Sequence, residues 1–304
     1  MKQIALLLFA LTSLTAFGQR DALYSQYMFN QLVINPAYSG SKEELSMAVI
    51  KRYQWVGLEG APKTLTVSAH TPLRNENVAL GMYVYSDQIG AENDLGVVGS
   101  YAYRVKLGKG KLCFGLQAGV SQVSTDWSKV TVREESDVVY SSRPKSGLKP
   151  DANFGVYYYT RNYYLGLSSK HLFETQLGKA DASGTYAALS RHFYAMGGVA
   201  IPLTDKIVFK PSTLIKYAQN APVNADLNAN FLFNNKIWLG ASYRTGNNTL
   251  VFMIELQATS SFKIGYSYDA CMGGLKNYNQ GSHEIMLGYD LNLFRPRVLT
   301  PRYF

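Results

Sequence analysis

The chain has 304 residues, 47% hydrophobic and 17% charged, with 23 Tyr, 14 Phe and a formal net charge of +9. Its basic residues are scattered rather than clustered, which argues against nucleic acid as a partner and is met more simply by anionic lipid headgroups. Cys113 and Cys271 are too few for a disulfide framework, and two free thiols are favoured over a single bridge.

Residues 1–18 have the form of a secretory signal. Lys2 supplies the positive start, Ile4 to Leu14 an apolar stretch, and Ala16 and Gly18 the small residues before a cleavage site. The apolar stretch falls short of the ~18–20 residues that a spanning helix requires. No Cys follows it, so a lipid anchor is not expected, and the mature chain is expected to begin at Gln19.

Residues 19–44 carry no strand alternation. Tyr24, Tyr27 or Met28, and Gln31 or Leu32 recur at helical spacing, which predicts two amphipathic turns. Asn35-Pro36 should end that run, and Ser39-Gly40 should turn the chain toward the first strand. The aromatics and side-chain amides suit a polar interior better than a solvated linker, because disordered linkers are poor in aromatics. The expectation is that residues 20–40 lie against the inner wall or periplasmic mouth of a barrel as a plug. Its candidate residues are Tyr24, Tyr27, Phe29, Asn30, Asn35 and Pro36.

From Leu45 onward, period-2 alternation dominates. In Lys111 to Gln122, Leu112, Phe114, Leu116, Ala118 and Val120 alternate with Lys111, Cys113, Gly115, Gln117, Gly119 and Ser121. Candidate strands fall near 45–55, 63–71, 77–86, 95–107, 111–124, 152–160 and 162–172. Seven more fall near 187–203, 206–218, 223–234, 236–245, 248–258, 261–270 and 282–294. A soluble sandwich shows the same alternation. Strands of about ten residues, an apolar face rich in tyrosine and an even count favour an all-β transmembrane antiparallel barrel over 45–294, with a tail over 295–304.

Connections should alternate between tight turns, such as Gly108-Lys109-Gly110 and Asn234-Asn235-Lys236, and long loops. The long ones are Val56–Pro62, Asp87–Asp94, Thr125–Asp151, Glu174–Tyr186 and Cys271–Gly281. Bacterial barrels keep short turns in the periplasm, so the long loops are expected at the cell surface. Glycines recurring inside strands, Gly81, Gly115, Gly166, Gly240, Gly265 and Gly288, read as lumen-side residues that ease curvature.

The same parity turns Arg52, Arg104, Arg244, Glu255, Asp269, Glu284 and Asp290 toward the lumen, where mutual neutralisation is the plain expectation. The stretch "RYQWVGLEGAPKT" presents Arg52, Trp55, Gly57, Gly60 and Pro62 as a candidate partner-facing loop, with Trp55 ending a strand at the membrane interface. Catalytic signals are weak. His70, His171, His192 and His283 lack metal-ligand spacing; Ser282 and His283 point to opposite faces, and Ser68 and His70 share a face without a nearby carboxylate. No enzyme activity, metal or cofactor is expected.

Five stretches together, "YSQYMFNQLVINPAYSGS" (24–41), "RYQWVGLEGAPKT" (52–64), "YSYD" (266–269), "GSHEIMLGYDL" (281–291) and "PRYF" (301–304), resemble the PorP/SprF family. The resemblance runs from Asp21 to the C-terminus. It implies an outer-membrane protein of the type IX secretion and gliding machinery of Bacteroidetes, with no agreed catalytic residues. It further implies a protein partner: a component of the machinery, or a secreted substrate with a C-terminal sorting domain such as an adhesin. A diffusion channel or small-molecule transporter is the main alternative, and a barrel hydrolase a remote one.

Overall fold

The computed structural model describes residues 22–130, 147–174, 190–219 and 221–292. Fifteen strand segments form one antiparallel sheet: β1 (Leu45–Tyr53), β2 (Lys63–Pro72), β3 (Val78–Ile89), β4 (Glu92–Leu107), β5 (Gly110–Thr125), β6 (Lys149–Tyr159), β7 (Tyr163–Lys170) and β8 (His192–Val199). The remainder are β9 (Ile201–Thr204), β10 (Ile207–Ala218), β11 (Asn224–Phe233), β12 (Ile237–Arg244), β13 (Thr249–Gln257), β14 (Phe262–Cys271) and β15 (Ser282–Leu291). Chain neighbours pair, except that β8 and β9 both pair with β10; β1 pairs with β15, and the pairing of β10 with β11 completes the ring.

β8 and β9 both pair with β10 and are parted only by Ala200, so they are one broken strand in a closed barrel of fourteen. Pro202 and Pro211 lie beside the break. Proline cannot donate to a ladder and is tolerated in sheets chiefly at such irregularities.

The wall is polar inside and apolar outside. On β5, Phe114 and Leu116 are exposed while Cys113, Gly115 and Gln117 are buried. On β15, Ile285, Leu287 and Tyr289 face out, and Glu284, Met286 and Asp290 face in. An outward band of Leu, Val, Ile and Tyr facing lipid, over a polar lumen, is the arrangement a bilayer selects. No described helix is long and apolar enough to cross a membrane.

All fourteen expected strands are present. One expected loop is not: β3 and β4 continue through Asp87–Asp94 to a turn at Gly90-Ala91, and Ser86 donates to the Asn93 side chain across the extended hairpin at 3.1 Å. Polar residues there obscured the alternation without ending the ladder. The residues after Asn292, including the expected end of the last strand at Phe294 and the tail over 295–304, lie outside the described residues, as do residues 1–21.

A barrel of about eight strands fills with its own side chains, whereas ~16–18 strands leave a channel. Here the core of the molecule occupies the lumen. Tyr27, Met28, Leu32, Val33, Ile34, Ala37 and Tyr38 pack against Tyr83, Tyr157, Tyr164, Tyr194, Met196, Leu214, Val251 and Met253 of the wall. Burying side chains such as Leu32 and Met28 contributes about 1.5–3 kcal/mol each.

Residues 22–44 adopt three 3-10 turns, Tyr27–Phe29, Gln31–Val33 and Pro36–Tyr38, rather than two helical turns ended at Asn35-Pro36. Asn35 instead starts the third turn. Its side chain accepts from Ala37 N at 2.9 Å, and Pro36 occupies the first position, where a missing N–H costs nothing.

Candidate functional site

Six charged side chains on the inner face form one chain of ion pairs. Glu284 Oε2 lies 3.4 Å from Arg52 Nη1, and Arg52 Nη2 donates to Asp269 Oδ2 at 2.7 Å. Asp269 also accepts from Arg244 Nη1 at 3.3 Å; Arg244 Nε lies 3.5 Å from Asp226, which accepts from Lys216 Nζ at 2.8 Å. Three cations thus balance three carboxylates, all buried. Such a cluster is stable only where every member is matched, because the desolvation cost of each lone charge is several kcal/mol.

The network holds the start of the N-terminal segment. The backbone N–H groups of Ser25 and Gln26 each donate to a Glu284 carboxylate oxygen at 2.8 Å. Ser25 Oγ donates to Asp269 Oδ1 at 2.7 Å and accepts from Arg52 Nη1 at 2.8 Å.

Further bonds come from all around the ring. Asn30 donates to Ser68 on β2 at 2.9 Å, and Asn228 on β11 donates to Tyr27 OH at 2.7 Å. Gln117 on β5 reaches Leu32 O at 3.1 Å, and Ser168 on β7 reaches Ile34 O at 2.8 Å. Asn35 donates to Val156 O on β6 at 3.1 Å. At the other end, Gly40 N donates to His70 Nδ1 at 3.0 Å and Arg104 donates to Gly40 O at 2.6 Å. The segment thus touches inward-facing groups on opposite sides of the closed wall.

Several strand glycines make room for these contacts. A Cβ on Gly115 would collide with the Pro36-Ala37 backbone, one on Gly155 with the Asn35 side chain, and one on Gly265 with Gln26.

Not every expected lumen charge joins the network. Arg104 serves the Gly40 carbonyl, Asp290 pairs with Lys263 and with Lys42, and Glu255 lines a separate cavity of about 80 Å³ with Lys210 and Trp238. Asp226 and Lys216 were missed, although the parity of β11 and β10 puts both on the inner face. Among the described residues, no group of three or more His, Cys, Asp or Glu is placed to hold a metal ion. His70, which shares a face with Ser68, is engaged by the segment.

Arg52 is not part of the outer loop, because it is buried in the lumen. β1 ends at Tyr53, and Trp55 follows it with a left-handed φ of 49° rather than closing the strand. Gly57 and Gly60 also have positive φ, 93° and 71°, as the turn chemistry demands. The loop is tied on both flanks: Val56 N donates to Gly281 O at 2.8 Å, Gln280 N to Val56 O at 2.7 Å, and Gly90 N to Gly60 O at 2.8 Å. Leu58 and Glu59 remain exposed at its tip.

A family model described as type IX secretion system membrane protein PorP/SprF matches residues 16–289. No curated protein matches the chain. Among solved structures, the chain is similar to the Ralstonia pickettii toluene transporter TbuX, with TM-score 0.51 and 11% identity over 93% of this chain and 100% of that one. It is likewise similar to CymD, a monoaromatic hydrocarbon channel, with TM-score 0.50 and 14% identity over 92% and 96%. At such identities the likeness extends to the barrel fold alone.

Proposed function

Since the chain belongs to the PorP/SprF family of type IX secretion system membrane proteins, we propose that it works as a plugged outer-membrane barrel that binds a protein partner, and that residues 19–44 are the plug. The partner is a component of the type IX machinery or a secreted substrate carrying a C-terminal sorting domain, and its binding supports export or surface attachment. The observation that carries this reading is the filled lumen: segment 25–41 is buried and bonded to strands on opposite sides of the ring. A diffusion channel requires that cross-section for its solute. The outer loop Gln54–Pro62, locked to its neighbours with an exposed Leu58-Glu59 tip, offers a rigid contact for a macromolecule. Arg104, Arg244, Glu255, Asp269 and Glu284 act in this reading by holding the segment or balancing charge, with no catalytic part.

Gene deletion should abolish export or surface display of at least one type IX substrate, and Leu58→Asp should reproduce part of that loss while the barrel still inserts. Intact secretion of every type IX substrate in the deletion strain refutes the proposal. Steady conductance of the purified protein in planar bilayers supports the channel alternative instead.

A further inference from the structure

The segment does not merely sit in the lumen; it crosses it in a definite direction. One rim of the barrel carries the connections 54–62, 126–148, 171–191 and 272–281, and the other carries turns such as Gly108-Lys109 and Asp205-Lys206. Long connections mark the cell-surface rim and short ones the periplasmic rim.

Ala22 and Tyr24 line a cavity of about 60 Å³ with Tyr85, Asp87, Asp94 and Asp151, all near the long-loop ends of β3, β4 and β6. Ser25 and Gln26 are held by Arg52, Asp269 and Glu284, which lie within three residues of the same rim on β1, β14 and β15. Gly40 is held by His70 and Arg104, near the short-turn ends of β2 and β4, and Leu45 then starts β1 from that rim. The chain therefore starts near the outer mouth at Ala22 and leaves at the periplasmic mouth at Lys42, passing Trp238 near the short-turn end of β12 on the way.

We infer that the chain enters the lumen from the cell-surface side, with Ala22 and Tyr24 at the rim that carries the loop Gln54–Pro62. An external partner then meets two parts of the chain there: the loop tip and the stretch at Ala22 beside Asp87, Asp94 and Asp151. The placement follows from the path of residues 22–42 and holds whatever the barrel binds.

Single cysteines in a background with Cys113 and Cys271 replaced by Ser test it directly. Asp21→Cys reports the N-terminal end, Glu59→Cys the outer loop and Lys109→Cys a periplasmic turn. A membrane-impermeant maleimide on intact cells should label positions 21 and 59 and spare 109, which should label only after outer-membrane permeabilisation. Labelling of 21 only after permeabilisation, or not at all in folded protein, overturns the inference. Should Asp21→Cys fail to fold, an epitope tag inserted ahead of Gln19 replaces it. Antibody binding to intact cells supports surface display, and binding only to permeabilised cells refutes it.

Discussion

Replacing Arg52 with Met tests what holds the segment in place. Arg52 is 2% exposed and bridges Asp269 at 2.7 Å, Glu284 at 3.4 Å and Ser25 Oγ at 2.8 Å. Its loss leaves Arg244 and Lys216 to balance Asp226, Asp269 and Glu284, an uncompensated negative charge in a buried site. Breaking a buried pair from one side costs about 3–5 kcal/mol. The ring of paired strands is unaffected, so the loss falls on docking of the segment, shifting the docked-to-released ratio by roughly 10²- to 10⁴-fold at ~1.36 kcal/mol per decade. Hydrogen exchange at the Ser25 and Gln26 amides should accelerate accordingly, and planar-bilayer recordings should show openings that the native protein lacks. Adding Asp269→Asn restores charge balance and should recover part of the protection, a coupling that a double-mutant cycle measures. If Arg52→Met leaves both amides protected and the bilayer silent while deletion of residues 22–41 conducts, the ion-pair chain is not the anchor.

Gly115→Val drives a side chain into the Pro36-Ala37 backbone and should cost about 1–3 kcal/mol of segment docking, read as faster exchange at Ala37 with an unchanged heat-modifiable barrel band on gels. Leu116 is 57% exposed on the lipid face. Leu116→Arg should lower folding stability in vesicles by about 2–4 kcal/mol in urea titrations. Cys271, half-buried near the outer rim, should react with a maleimide in the folded protein, whereas buried Cys113 should react only after unfolding.

The wall was readable because membrane strands repeat one rule. Leu112, Phe114 and Leu116 against Cys113, Gly115 and Gln117 fix both the strand and its faces, since a one-residue slip would invert every side chain. The extended β3–β4 hairpin was not readable, because Asp87, Gln88, Asn93 and Asp94 obey the ladder without showing its polarity. The tyrosines were harder still. Tyr101 and Tyr266 face lipid, but Tyr83, Tyr157, Tyr164 and Tyr194 line the lumen and pack on the segment. Alternation alone cannot say which of two faces is wet when the interior is filled by another part of the chain. The charge network was half legible for the same reason: parity selects its members, whereas the pairing of Arg52 with Glu284 is set by ring closure. Three consecutive 3-10 turns leave no long period in sequence, so only composition hinted at the segment.

Arg52 and Glu284 stand directly opposite one another in the register between β1 and β15, the first and last strands of the chain. The carboxylate that receives the Ser25 and Gln26 amides thus gains its cation only when the two ends of the sheet meet. During assembly, an open sheet lacks the Arg52 and Glu284 pair that fastens Ser25 and Gln26, although it can already hold the rest of the arm. Closure of the seam and capture of Ser25 and Gln26 become a single late event, and a barrel that zips in the wrong register forfeits both.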